Sequence, residues 1–259
     1  MVIILFFLAH WYLSLFCQTF FQHRYAAHQA FTMSKGWERF FYILTFISQG
    51  SSFISPRAYA IMHRLHHAYT DTELDPHSPS YDSNLFTMMW RTKNVYQSIL
   101  NGKYAVEERF MKNLPDWPFI EKLGDSWMIR LMWAGLYTWF YVAFAPSAWY
   151  FLLLPVQFLM SPVHGAIINW FAHKYQYINF KQNNTSRNLL PLDFLMMGEA
   201  YHNNHHKFPS RINFGFRWHE IDPTYPVILL LKKVGVIRVA RMPAPAKTEM
   251  RHLVMEEVH

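Results

Sequence analysis

Nine histidines stand in four short clusters of this 259-residue chain: His23-Arg-Tyr-Ala-Ala-His28, His63-Arg-Leu-His66-His67, Asn169-Trp-Phe-Ala-His173 and His202-Asn-Asn-His205-His206. Neutral imidazole ligates iron, copper and zinc, and a tetrahedral zinc ion takes only four ligands. Nine candidates therefore indicate two metals of higher coordination number, for which iron is the natural choice. On a helix, positions i, i+3 and i+4 share a face, so His63/His66/His67 and His202/His205/His206 can each aim three rings one way. Asn169 and His173 are four apart as well; an amide binds iron poorly but can hold a water on the metal. His23 and His28 lie roughly 140° apart on an ideal helix, so they either ligate different metals, the preferred reading, or sit where the helix ends. The single cysteine, Cys17, excludes a disulfide framework, a CxxC zinc motif and a cluster held by this chain's own thiolates, leaving metal binding to histidines and carboxylates.

Elements must hold these rings in one place, and the composition says in what setting. Hydrophobic residues make up 52% and aromatics 19%, more than a soluble domain of this length usually carries. The formal charge of +7 is scattered, with no dense basic run, which argues against nucleic acid and for a cytoplasmic-leaflet contact. Residues 1–22 are long and apolar enough to span a bilayer, and lack the basic start and small-residue cleavage site of a signal peptide. Residues 37–56 contain Glu38, Arg39 and Gln49 and make a poorer span.

Parity then fixes the topology, because all the candidate ligands must meet on one side of the membrane. A single crossing by 37–56 would separate His23/His28 from His63/His66/His67, so that segment is expected to be re-entrant or interfacial. Residues 127–145 and 149–171 form the expected transmembrane hairpin, with Trp127, Trp149 and Tyr150 suited to an interfacial belt. The expected fold is an all-α integral membrane protein of one domain, with three spans topped by a helical region formed by 57–126 and 173–238. The excess of Lys and Arg places that region in the cytoplasm, and 239–259 reads as a peripheral tail. Two glycosylation sequons, Asn183-Asn-Thr185 and Asn184-Thr-Ser186, fall on this side and read as accidental. Isolated His10, His164, His219, His252 and His259 read as hydrogen-bonded core residues, and His77 is undecided. Packing the clustered imidazoles without a metal would instead leave buried donors and acceptors unpaired.

At these residues the chain resembles the membrane fatty acid desaturase family, specifically its acyl-CoA (stearoyl-CoA desaturase-like) branch, whose HxxxxH, HxxHH and HxxHH boxes stand here as HRYAAH, HRLHH and HNNHH. The text after the second box, His66-His67-Ala-Tyr-Thr-Asp71-Thr-Glu-Leu-Asp75-Pro-His77, and around the third, Gly198-Glu199-Ala-Tyr-His202-Asn-Asn-His-His206-Lys-Phe-Pro209, is also similar, and Asn169-x-x-x-His173 looks like the family's ninth histidine with its water-holding asparagine. The resemblance runs from about Leu13 to Val236. It departs in one respect: 22 residues precede His23, room for one span where that branch has two.

The resemblance implies a diiron oxygenase that introduces a cis double bond into a long acyl chain, carried by coenzyme A or by a lipid, using O2 and two electrons. The residues agree, because no side chain can break an unactivated C–H bond and the protein's task is to position the chain and exclude water. Glu199, Asp71 and Asp75 are candidates to accept the second ring N–H of ligand histidines; the alternative for the two aspartates is that they cap turns near Pro76. No nucleotide loop, cytochrome b5-like motif or cluster-binding cysteine set is visible, so a separate donor such as ferredoxin or cytochrome b5 is implied, and Lys207, Arg211 and Arg217 are placed either to receive it or to contact an acyl carrier's phosphates. Hydroxylation or oxidative decarboxylation by the same core is the alternative reaction, and a non-enzymatic haem or metal carrier the alternative class. The compact chain favours a bacterial inner membrane over the endoplasmic reticulum.

Overall fold

The computed structural model describes residues 1–239. Its longest helix runs from Val2 to Ala27 in two windings: α1 (Val2–Phe16) is a regular α-helix, and Cys17–Ala27 continues it as a π-helix. The π-winding pairs each N–H with the carbonyl five residues back, as His28 N–H does with the His23 carbonyl at 3.1 Å. After a turn come β1 (Thr32–Met33) and α2 (Lys35–Gln49), whose outer face exposes Trp37, Phe40, Ile43 and Ile47 while Phe41 and Tyr42 are buried. A short 3₁₀ turn, Gly50–Ser52, leads to α3 (Pro56–Tyr69), which opens on proline and is capped by the Ser55 hydroxyl accepting from Ala58 N–H.

The remaining helices are α4 (Leu85–Leu100), α5 (Pro118–Asp125), α6 (Trp127–Phe144), α7 (Leu154–Phe158), α8 (Met160–Ala166), α9 (His202–Lys207) and α10 (Thr224–Lys233). The all-helical expectation is corrected to a mostly helical one: the region 173–238 holds only α9 and α10 among turns and the isolated bridges Tyr177–Asn188 and Asn188–Tyr201, and β2 (Ile237–Arg238) pairs antiparallel with β1, Thr32 opposite Arg238, closing the end of the described chain onto its start. Most of the expected tail, with His252 and His259, lies outside the described residues.

The three expected spans are reduced. Val2–Ala27 is the one described helix long and apolar enough to cross a bilayer, and Ala148–Phe158 with Met160–Phe171 forms a second at most, bent by 73° at the break. The span expected at 149–171 is therefore either a broken span or a re-entrant loop. The helix expected at 127–145 forms as α6 but falls short of that test, and Arg130 is part of the reason. Its guanidinium turns inward and donates to the Ser51 and Phe53 carbonyls, both at 2.9 Å, fastening α6 to the turn after α2. Elsewhere α6 leaves Trp127, Met128, Leu131, Trp139 and Val142 exposed.

Candidate metal centre

The nine histidines gather into two adjoining clusters. His23, His28, His63, His67 and His205 form one and His66, His173, His202 and His206 the other, with the candidate ligand atoms of each cluster within 4.8 Å of one another. The α-helical triplets split: α3 sends His63 and His67 to the first cluster and His66 to the second, and α9 sends His205 to the first and His202 and His206 to the second.

The expectation that His23 and His28 serve different metals is corrected here. Both belong to the first cluster, with ring centroids 5.0 Å apart. The reason is the π-winding, which stacks residues five apart where an α-helix would set them far round the axis. Arg64, the second residue of the HRLHH box, locks that helix end in place, donating to the Ala26 and Ala27 carbonyls and to those of Phe110 and Lys112. It supplies donors to carbonyls that the helix terminus leaves over.

The rings point their Nε2 atoms at each other. His23 and His67 each approach His205 (3.0 and 2.9 Å), His28 approaches His63 (2.8 Å), His66 approaches His206 (3.1 Å), and His173 and His206 both approach His202 (3.0 Å each). Carboxylates fix two tautomers. His23 Nδ1–H donates to Glu199 at 2.7 Å, and His66 Nδ1–H donates to Asp75 at 2.9 Å, so both rings carry a bare lone pair at Nε2. Burial, reinforced by neighbouring histidines, drives the pKa values of His63, His67, His202, His205 and His206 well below the ordinary histidine value, which keeps them neutral. Converging neutral nitrogens repel unless a cation sits among them, so the donor set fits a pair of transition-metal ions in imidazole-rich sites.

The three candidate carboxylates are not equivalent. Glu199 also accepts from the Thr19 hydroxyl and lies 3.5 Å from Arg24; burial alone would raise its pKa, but His23, Arg24 and Thr19 together hold it below the usual range. Asp75, completely buried, accepts from His66 and from the Asp71 and His77 amides, joining the ligand-orienting and turn-capping roles. Asp71 does not reach a ring: it is 3.9 Å from His173 Nδ1, which instead meets the Thr185 hydroxyl at 3.1 Å, and Asp71 holds Thr185 through its amide at 2.6 Å. Asn169, in a second π-helical turn (Ile167–Phe171), lines the cavity beside the clusters.

Several supporting residues carried no separate signal in a motif. Arg24 is fully buried, donates to Asp222 at 2.7 Å and lies 3.7 Å over the Phe214 ring, tying the π-helix to the segment after α9. Helix α9 spans six residues, too few to stand alone. The two asparagines of HNNHH hold it. Asn203 bridges Phe180 and Ser186 carbonyls, and Asn204 donates to Phe214 and Glu220. That pair of asparagines between histidines was the available clue. His77 is buried, its ring 4.3 Å from that of His66, and neither ring nitrogen has a partner. His10 and His164 correct the core reading: both are buried, and neither makes a hydrogen bond.

A cavity of about 950 Å³ reaches the clusters, where His23, His63, His202 and Glu199 form part of its wall. Its inner lining is mostly apolar, with Leu15, Met62, Ile168 and Met196, and its outer rim carries the exposed Phe86, Trp90, Trp127 and Leu131. The volume lies at the upper end of the range of about 300–1,000 Å³ typical of small-molecule sites.

Residues 1–231 match the family model described as fatty acid desaturase. Among curated relatives, the Delta-9 desaturase-like 2 protein of Arabidopsis thaliana is 28% identical over 242 residues, covering 89% of this chain and 74% of its own. The Delta-9 acyl-lipid desaturase 2 of the same plant is 26% identical over 232 residues, covering 90% and 72%. The sn-1 stearoyl-lipid 9-desaturase of Synechocystis sp. is 28% identical over 226 residues, covering 85% and 66%.

Proposed function

Because the chain belongs to the fatty acid desaturase family, we propose that it removes two hydrogens from adjacent methylenes of a lipid-bound long acyl chain, consuming O2, two electrons and two protons and releasing two waters. The observation that carries this reading is the meeting of two clusters of neutral histidines with the end of a long apolar cavity. Two irons held by the nine histidines would supply the O2 activation and C–H cleavage that no side chain provides. The chain's own residues do the rest. Glu199 and Asp75 fix the ring tautomers, the apolar wall keeps bulk water out and holds the chain extended past the clusters, and Asn169 offers an amide on the cavity side.

The rim favours a lipid over a coenzyme A thioester. Of the two lysine or arginine side chains lining the cavity, Arg130 is committed to backbone carbonyls, and Lys93, 4.2 Å over the Trp90 ring, stands in the same lining as Asp125. Among the described residues the lining offers one free cation, which suits a single phosphate or ester group; the several phosphates of coenzyme A call for more. The exposed aromatic rim and the apolar faces of α1 and α6 suit a protein embedded in a bilayer, with the clusters on the cytoplasmic side. The Delta-9 names of the relatives support the ninth carbon as the position.

Electrons come from a separate protein. The clusters approach the surface at His28, His67 and His206, which are only partly buried; the exposed Lys207 follows His206 in the chain, and Arg217, also exposed, donates to Asn179. An acidic donor docking there would sit close to both clusters. The test is metal analysis of protein purified in detergent, then product analysis with acyl-lipid, with acyl-CoA, O2 and a reducing system. About two irons per chain and a cis-unsaturated acyl-lipid are expected. A hydroxylated product would overturn the reaction, a preference for acyl-CoA would overturn the carrier, and failure to bind iron would overturn the site.

A further inference from the structure

Thirteen buried side-chain nitrogen and oxygen atoms among the described residues lack a hydrogen-bond partner, and six of them fall on one stripe. His10, Ser14 and Gln18 succeed one another at intervals of four along α1 and its continuation, so they share a face. His164 of α8, which packs against α1, meets the edge of Trp11 at 4.4 Å and lies within electrostatic reach of His10. Both nitrogens of both histidines, the Ser14 hydroxyl and the Gln18 carbonyl oxygen are unpartnered; one His10 nitrogen faces the Ser48 carbonyl outside hydrogen-bonding geometry. All four side chains are at least nine-tenths buried, and Gln18 and His164 also line the cavity that reaches the clusters.

So many polar atoms inside an apolar span are costly unless something small and polar joins them. The space suits a molecule that both donates and accepts, since imidazole, hydroxyl and amide oxygen differ in what they need. We propose that His10, Ser14, Gln18 and His164 bind a short chain of ordered waters opening into the cavity, and that this chain takes up the water formed during turnover. The first part stands on the stripe alone. The second rests on the desaturase reading, in which an acyl –CH2–CH2– unit, O2, two donor electrons and two protons become –CH=CH– and two waters. An apolar cavity filled by an acyl chain gives those waters few partners, whereas the stripe gives each about three, as buried waters usually find.

Pulsed hydroxyl-radical labelling of the full chain in lipid nanodiscs tests the water chain, because radicals made from internal water oxidise the side chains beside it. Cys17 and Met160 flank the stripe, three residues beyond Ser14 and four before His164, and both have 0% exposure. Met88 of α4, also 0% exposed and outside the cavity lining, is the dry reference. Cys17 and Met160 should label several-fold faster than Met88, and Ser14→Ala and His164→Leu should each cut the Met160 rate several-fold with an unchanged size-exclusion profile. Labelling of Cys17 and Met160 no faster than Met88 in the unmodified protein would overturn the proposal, whether or not a variant folds. Neither iron nor turnover is needed, so a labelled stripe in a protein without desaturase activity would sink the functional reading and leave the water site standing.

Discussion

Replacing Glu199 by glutamine should weaken one metal of the pair and spare the other. The His23 Nδ1 atom lies 2.8 Å from one Glu199 oxygen and 2.7 Å from the other. Whichever way the amide turns, an N–H therefore opposes the ring N–H. The neutral amide also gives up the charge that faces Arg24. The remaining amide oxygen holds the Nδ1–H tautomer of His23 less strongly than the carboxylate does, so the tautomer that carries its proton on Nε2, the atom aimed at the cluster, gains population. Loss of a carboxylate behind a ligand histidine typically costs 10–100-fold in metal affinity, or about 1.4–2.8 kcal/mol. Iron titration of metal-free Glu199→Gln under anaerobic conditions should show one site at the unmodified affinity and one weakened by that factor, with a far-ultraviolet spectrum unchanged. Asp75→Asn, acting through His66, should weaken the other site instead. The reasoning is refuted if Glu199→Gln binds two irons with unaltered affinity, or if the two substitutions weaken the same site.

Gly198 adopts φ +96°, and a methyl group added there would meet an Asp222 carboxylate oxygen at 2.4 Å, so Gly198→Ala should destabilise the fold by about 1–3 kcal/mol from backbone strain alone, read as a drop in melting temperature. Asp193 has its pKa raised to about 6 by burial, against which its hydrogen bonds from the Met196, Gly198 and Ala200 amides work. Its folded value thus lies above its unfolded one, so stability is full below about pH 4 and falls as pH rises to about 6, by at most about 3 kcal/mol; melting temperatures of Asp193→Asn across that range should lack this fall. Donor-supported activity should drop as salt rises, and Lys207→Glu with Arg217→Glu should remove most of the salt dependence while leaving activity with a small chemical reductant intact.

What the sequence made legible, and what it hid, divides along the winding of the backbone. The HRLHH and HNNHH boxes announce themselves because their spacing fits the ordinary α-helix, which α3 and α9 provide. The HRYAAH box misleads for the same reason: its five-residue spacing reads as two separated ligands on an α-helix, and only the π-winding of Cys17–Ala27 turns both inward. Nothing local distinguishes that segment, since the winding is stabilised from outside, by Arg64 on its last carbonyls and by Arg24 reaching Asp222 far along the chain. Long-range pairings of this kind have no period to detect. The carboxylates show the same limit, for Asp71 and Asp75 are equally plausible four residues apart, yet one touches a ring and the other works through Thr185.

The spans failed differently. Parity required an even number of crossings between His67 and His173, and a hairpin was the simplest way to provide them. A helix pair bent by 73° at its break can be a broken span or a re-entrant loop, and the second would meet the same parity without crossing, since a chain that enters and returns ends where it began. Arg130 shows why composition was a poor guide: read as a charge it disqualifies a span, but in the fold it is consumed by carbonyls inside the protein, and the face of α6 that it leaves outward is apolar. The same inward turning of polar groups gives the protein two of its interior polar features, the histidine clusters and the stripe on α1 with His164 of α8. In the first every ring has a neighbour whose nitrogen it faces, which calls for cations. In the second, six polar atoms have no hydrogen-bond partner among the described residues, which calls for a molecule that can both donate and accept hydrogen bonds.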